Sequence, residues 1–470
     1  MKSEEALGWG VRIGFGAGDL AQNLLVSSVG TYLLFFCTDV IGLSPASVAT
    51  MFLVVQLADI LWNPLVGVFI DRHDPPWGKY RSYLLLAGIP LAVFAVLCFS
   101  CPFGGALRAF LAYAAYAGFT LLFALVNVAY GALNASLSRD TDEITVLTSV
   151  RIFLANAGCL AAVAGLPLLV AALTGASGGP LGERVLPWRM ALFMGFGMLP
   201  SFVFMPLLPA LRRLLGKKGL FFAFAAVAVF GMAALYALSR IGRVADRPVL
   251  VYAAQFVKAT GIIVATGYMW ALVPEVITYS EHRTGRRVSG IVNAVMGVFF
   301  RVGMALGRIV SGLALAWTGY RASASEGGAS LPTEPRAWMW AMTIFAAVAA
   351  ALLVFSFAQA KERVVMDAAG SAWVRMGDIW REFRGNAPLR ILAFYFVAAF
   401  AMMSVGNAAG AYFMNGLETQ SPLAQEGIRW LVCVIPAILL AVAAAAFARY
   451  PLDDATVARL NRAVAFRQRA

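Results

Sequence analysis

Residues 58–72 read ADILWNPLVGVFIDR. The stretch is apolar except for Asp59 and Asn63 until it closes on Asp71 and Arg72. It ends a longer apolar run, 46–70, that as a helix is long enough to cross a hydrocarbon core of ~30 Å. Asp59 lies about 13 residues into that run, which at ~1.5 Å per residue is near the midplane. A carboxylate at that depth is costly and is commonly kept for function.

The same kind of run recurs along the chain. Apolar stretches cover 11–36, 46–70, 82–101, 107–137, 148–174, 188–208, 219–240, 249–278, 288–318, 337–358, 389–414 and 428–449. With 61% hydrophobic and 13% charged residues and a mean hydropathy of +0.78, the chain carries more apolar surface than a soluble fold can bury. The expected fold is an all-α membrane protein of twelve transmembrane helices, because the runs are far longer than the ~10 alternating residues of a barrel strand. No cleavable signal peptide is read, since the first run is too long for one and no A-x-A site follows it.

The net charge of +13 is distributed by loop. Arg72, Lys79 and Arg81 follow span 2, Arg139 and Arg151 flank the loop after span 4, and Arg212, Arg213, Lys217 and Lys218 follow span 6. Arg283, Arg286 and Arg287 follow span 8, Lys361, Arg363, Arg375, Arg381 and Arg384 follow span 10, and Arg459, Arg462, Arg467 and Arg469 lie in the tail. All fall on the side of the N-terminus, so the positive-inside rule places both termini in the cytoplasm of a bacterial inner membrane. Orientation and contact with lipid headgroups explain this charge better than a nucleic-acid surface does.

Enzyme chemistry finds little footing. Cys98 and Cys101 make a C-x-x-C with no second pair, and the two histidines, His73 and His282, sit in basic loops. GFGAGD (14–19) mimics half of a dinucleotide fingerprint, but it lies inside a span rather than at a strand-to-helix turn. No zincin or Walker sequence is present. The expectation is no catalytic residue, no metal and no cofactor.

Local sequences point to a family. GFGAGDLAQN (14–23), TYLLFFCTDVIGLS (31–44), ADILWNPLVGVFIDR (58–72) and WGKYRSYLLLAG (77–88) follow in the order of the first three helices of the glycoside–pentoside–hexuronide cation symporters, the melibiose permease family of the major facilitator superfamily. VNVAYGAL (126–133) and LTSVRIFLANAG (147–158) resemble its fourth and fifth helices. WALVPEVITYSEHRTGRRVSG (270–290) resembles its tenth-to-eleventh connection, and GIRWL (427–431) with YPLDD (450–454) its last helix. The resemblance implies two six-helix bundles and transport by alternating access.

The pieces stand in an unusual order. Parallel repeats should repeat the Gly67-x-x-x-Asp71-Arg72 loop after the eighth helix. The best second copy, PALRRLLGKK (209–218), follows span 6, and the stretch that resembles the family's inter-bundle linker, 361–388, follows span 10. One reading completes an N-terminal bundle, 1–175, with span 10 (337–358). A C-terminal bundle, 185–320, is then completed by 389–450, with a linker over 359–388 and a tail over 451–470. Divergent loops are the other reading. Moving two helices together preserves sidedness, so the transposition is topologically allowed. In the linker, Trp373, Met376, Trp380 and Phe383 form one apolar stripe opposite Arg375, Arg381 and Arg384. That pattern fits a helix lying on the inner leaflet or one packed beneath the bundles.

The resemblance also assigns polar positions. Asp59 coincides with the first aspartate of the family's cation site, and Asn63 stands where a second acid is expected. Trp62 and Ala124 occupy positions where an asparagine and a hydroxyl would complete a sodium cage. A lone carboxylate suits a proton better than sodium; a structural hydrogen bond is the alternative role for Asp59. Asp19, Gln22 and Asn23 share a face of span 1 at spacings of three and four. Gln22, Asn23, Asn127 and Arg151 match positions that contact sugar in the disaccharide-transporting type, and Gly131 stands where an aromatic would stack. Asp71, Arg72 and Arg81 match the gating loop.

The second half is cationic. Arg301 matches a cavity lysine of the family, Lys258 lies mid-span with Gln255 one turn before it, and Arg308 is two turns beyond Arg301. Asp19 and Asp59 are read as the only deep acids, with Glu275 near a span end. Cations facing a solute path favour an acidic sugar; pairing of Arg301 with Asp59 or Asp19 is the competing reading. The function expected is secondary active or facilitative transport of a sugar or sugar-like solute, acidic on the first of these two readings, by a monomer, coupled to protons or uncoupled rather than to sodium. A lipid or other non-sugar carrier and a non-transporting solute sensor are the alternatives.

Overall fold

The computed structural model describes residues 8–73, 75–100, 106–137, 141–174, 181–241, 247–267, 269–284, 289–320, 334–361, 383–415, 420–452, 456–457, 459–460 and 462–463. The described residues are helical with no strand. The elements are α1 (Trp9–Phe35), α2 (Pro45–Arg72), α3 (Ser82–Leu86), α4 (Gly88–Cys98), α5 (Ala106–Leu137), α6 (Thr141–Leu173), α7 (Leu181–Ile241) and α8 (Pro248–Gly267). There follow α9 (Val273–Thr284), α10 (Ser289–Trp317), α11 (Pro335–Gln359), α12 (Ala387–Asn415), α13 (Pro422–Arg429) and α14 (Ile435–Ala448). Eleven stretches among the described residues are long and apolar enough to cross a bilayer, and the shorter Ser82–Cys98 segment is apolar as well.

Several elements differ from the runs read in sequence, each for a local reason. The third run is two helices, α3 and α4, because Pro90 has no N–H to donate and its ring crowds the carbonyl of Leu86, where α3 ends. The eighth run, 249–278, is broken after α8. A short 3₁₀ turn, Met269–Leu272, precedes α9, whose first turn accommodates Pro274. The sixth and seventh runs join in α7, interrupted at Gly216, whose φ of 68° is the left-handed conformation that glycine adopts at no steric cost. At the end of the first run α1 continues as a π-helical turn, Phe36–Val40, rather than stopping at 36.

The chain forms two compact units. Unit 1 is Met1–Gly195, Leu315–Ala369 and Ala411–Ala424; unit 2 is Phe196–Ala314, Gly370–Gly410 and Gln425–Ala470. In unit 1, α1 packs on α6 and α11, and α11 also packs on α3, α4 and α6. The keystone is Trp338 of α11, fully buried, with ring centroids of Tyr32, Phe35, Phe36 and Phe99 between 5.9 and 6.1 Å away. Burying five aromatic rings together is worth more than their area alone, since such pairs add about 0.5–1.5 kcal/mol each. α1 and α6 come so close that a Cβ at Gly158 would run into the backbone carbonyl of Leu20. Small residues at such seams let helices approach where lipid supplies no hydrophobic drive.

Unit 2 uses the same device. A Cβ at Gly231 would collide with the backbone of Lys258, seating α7 directly against α8. Gly303 and Gly307 of α10 similarly face backbone carbonyls of Val397 and Ala401 on α12. On α2 the sorting is visible within one helix: Leu57, Leu61 and Leu65 are exposed for lipid, whereas Phe52, Val55, Gln56 and Asp59 are buried. The apolar face points outward and the polar one inward, the reverse of a soluble helix.

Candidate functional site

In unit 1 the polar residues of α1 meet α5 and α6. Asp19 is buried, and Nε of Arg151, from α6, donates to its Oδ2 at 2.6 Å. The guanidinium carbon of Arg151 lies 5.1 Å from the ring centre of Tyr130, on α5. Tyr130 stacks on Phe15 at 4.7 Å, and its hydroxyl donates to the carbonyl of Phe15. The aromatic thus aims the arginine at Asp19 through a cation–π contact. The sequence reading missed Tyr130; the signal was available in its place beside Gly131, where an aromatic was sought.

Two amides flank this pair. Asn23 Nδ2 donates to the carbonyl of Asp19 at 2.9 Å, and Gln22 Nε2 donates to that of Gly18 at 3.3 Å. Gln22 is only 1% exposed and its Oε1 accepts no hydrogen bond from the described residues. An enclosed acceptor without a donor costs about 1–3 kcal/mol. Asn127 is half-buried on α5.

Asp59 is almost wholly buried on α2, and amides of its own helix close around it. Asn63 Nδ2 donates to Oδ1 at 2.9 Å and to the Asp59 backbone carbonyl at 2.7 Å, while Gln56 Nε2 reaches Oδ2 at 3.3 Å. Because the backbone carbonyl can only accept, it pins the Asn63 amide with its N–H edge toward the carboxylate. Trp62 is turned away, donating to the carbonyl of Leu121 at 3.1 Å, and Ala124 is buried without a hydroxyl to offer.

A further buried acid corrects the inventory of Asp19 and Asp59. The π-helical continuation of α1 carries Asp39 inside, 0% exposed. Tyr320 Oη donates to its Oδ1 at 2.7 Å and Thr38 Oγ1 to its Oδ2 at 2.6 Å, with Tyr412 Oη 2.9 Å from Thr38. The apolar count stopped at 36, so this acid was taken as lying outside the span.

In unit 2, Lys258 is 6% exposed in the middle of α8, and Gln255 precedes it by one turn. Arg301 is half-buried on α10, about 200° around the helix from the seam that Gly303 makes with α12. Glu275 is buried, not simply near a span end: Lys217 Nζ lies 2.8 Å from both its oxygens and Arg212 4.0 Å from one. Lys217 also donates to the Leu452 carbonyl at 3.2 Å, and Lys218 to that of Ala448 at 3.0 Å. The 209–218 stretch is therefore bound to α9 and to the end of α14.

Of the residues that match the family's gating loop by sequence, Arg81 packs its guanidinium 5.0 Å from the ring centre of Phe357 on α11 and donates to the carbonyl of Trp77. The side chains of Asp71 and Arg72 lie outside the described residues, as do Trp373, Met376 and Trp380 of the linker stripe and most of the tail.

A family model for MFS/sugar transport proteins matches residues 14–185, 187–333 and 327–417. The chain belongs to that family. The uncharacterized symporter YnaJ of Bacillus subtilis is 33% identical over 400 residues, covering 68% of this chain and 85% of the relative. The isoprimeverose transporter of Lactiplantibacillus pentosus is 26% identical over 439 residues, covering 76% of this chain and 91% of the relative. The glucuronide carrier protein homolog of Escherichia coli is 24% identical over 397 residues, covering 68% and 86%. The protein is a multi-pass integral membrane transporter of the glycoside–pentoside–hexuronide symporter type, with the all-α major facilitator fold, and not an enzyme.

Proposed function

We propose that this chain carries an acidic, sugar-like solute across the bacterial inner membrane by alternating access, coupled to protons or uncoupled rather than driven by sodium. The observation that carries the charge preference is Lys258, buried mid-span on α8. An ammonium at that depth is expensive in hydrocarbon and marks a solute or ion path, and a carboxylate is its natural complement. The relatives include a glucuronide carrier homolog and an isoprimeverose transporter, one named for an acidic sugar and one for a neutral one. Both names stand among the relatives, and the deep cation supports the acidic kind for this chain.

Asp19, Gln22, Asn23, Asn127 and Arg151 supply acceptors and donors for hydroxyl pairs, and Lys258 with Arg301 supplies the positive charge. Asp59 with Asn63 is the coupling site. The amide N–H groups turned toward both Asp59 oxygens present positive dipole ends where a sodium ion would need oxygen ligands. A proton, which needs one oxygen, is better served. The packing of α11 on α1, α3, α4 and α6 supports the reading that spans 1–5 and 10 form one half, and spans 6–9, 11 and 12 the other. Both termini are read as cytoplasmic from the loop charges, with Asp71, Arg72 and Arg81 in the gating loop.

The test is ligand-induced thermal stabilisation of the purified protein by glucuronate and by glucose. Glucuronate should raise the melting temperature of the wild type more than glucose, and Lys258→Gln and Arg301→Gln should each diminish the glucuronate effect selectively. Equal loss for both sugars would refute the anion preference.

A further inference from the structure

Amides inside these helices have a default fate. Gln22, Asn23, Asn63 and Asn156 each donate to the backbone carbonyl four residues earlier, which satisfies the group without leaving its own helix. Gln255 has the same option toward the carbonyl of Val251 and does not take it. It is 7% exposed within the α8 span, yet makes no hydrogen bond to any described residue, and its Oε1 is fully enclosed. Its Nε2 lies against Gly197 of α7, in a notch that a single Cβ would fill. The neighbouring turn is walled by Tyr252, whose ring stacks on Phe196 at 5.6 Å.

The cost of this arrangement is about 1–3 kcal/mol for the stranded acceptor. A nonpolar residue of the same shape would remove that cost, so an amide here has to be explained by a partner that is present only part of the time. Its position suggests which. Gln255 and Lys258 are three residues apart on one helix, so their side chains leave the same face one turn apart. A sugar acid carries a carboxylate and ring hydroxyls at comparable separation.

We propose that Gln255 is a solute-specificity residue whose amide hydrogen-bonds a ring hydroxyl of the same solute whose acidic group Lys258 binds. The inference rests on the acidic-solute reading above. Gln255 would supply an acceptor at Oε1 and a donor at Nε2, the pairing that a vicinal hydroxyl pair requires. Sequence gives this residue no distinction, since one glutamine in an apolar run reads equally well as a back-bonded amide.

The experiment measures glucuronate affinity and the melting temperature of the empty protein for the full chain in detergent. Gln255→Met, nearly isosteric, is expected to weaken glucuronate by about tenfold, as removing one hydrogen bond should, and to leave the empty protein as stable as wild type or more so. Gln255→Asn, which keeps the amide but shortens it, is the second variant and should also weaken glucuronate. Unchanged affinity in both, while Lys258→Gln loses glucuronate, would overturn the role of Gln255 and leave the acidic-solute reading standing. A marked fall in the melting temperature of the empty Gln255→Met protein would overturn it too, as the mark of a structural amide. If wild type shows no glucuronate binding, or Lys258→Gln binds as wild type does, the acidic-solute reading fails and this inference with it.

Discussion

In unit 1 the mid-membrane charge is met within the unit: Arg151 reaches Asp19 at 2.6 Å and is aimed by Tyr130. In unit 2 the mid-span Lys258 stands one turn from the Gln255 amide, which hydrogen-bonds no described residue, and a close ion pair, Lys217 with Glu275, joins the 209–218 stretch to the start of α9. The difference separates two uses of polarity in a bilayer. A carboxylate and a guanidinium from different helices form a net-neutral pair that holds those helices in register. An amide that hydrogen-bonds no described residue ties no helices together, and its cost of about 1–3 kcal/mol is of the kind that a bound ligand offsets.

The comparison breaks most sharply at Arg151. Arg151→Gln strands the Asp19 carboxylate and should cost about 4 kcal/mol of stability. The double variant Asp19→Asn with Arg151→Gln should recover most of the loss, read as melting temperature in detergent. A single variant as stable as wild type would show that the pair is not what ties α1 to α6.

Next comes the aromatic keystone of unit 1, whose counterpart in unit 2 is the cluster of Phe221, Phe222, Tyr395, Phe447 and Tyr450. Trp338→Ala should cost about 3 kcal/mol through the cavity left among Tyr32, Phe35, Phe36 and Phe99. Protease protection of α11 measured alongside melting would report whether the loss is local to unit 1.

The helix seams should respond alike in both units. Gly158→Ala and Gly231→Ala each push a methyl into backbone rather than into a pliable side chain. Each should cost about 2 kcal/mol. Gly231→Ala has a second readout, because it displaces the backbone of Lys258: glucuronate binding should weaken there and not in Gly158→Ala.

The smallest expected effect is none. Replacing sodium by choline at fixed pH should leave uptake unchanged, given the N–H groups facing Asp59. A large stimulation by sodium would show that those amides are not the obstacle they are taken for here.

Asp19 and Asp59 were legible from sequence because a charge in an apolar run stands out whatever surrounds it. Asp39 was not, since composition ended the run at 36 while the backbone continued as a π-helical turn. Lys258 was legible by depth, but the state of Gln255 was not, because a hydrogen bond not made leaves no trace in a sequence.

The apolar spans and the basic loops follow from the sequence alone, because bilayer thickness and the cost of unsatisfied backbone act on each segment locally. The tertiary structure alone decided that Asp19 meets Arg151 across 132 positions of sequence, that α11 packs among α1, α3, α4 and α6, and that Gln255 hydrogen-bonds no described residue. These depend on which helices touch, and between helices in lipid that is settled by shape and by sparse polar contacts rather than by a hydrophobic pattern.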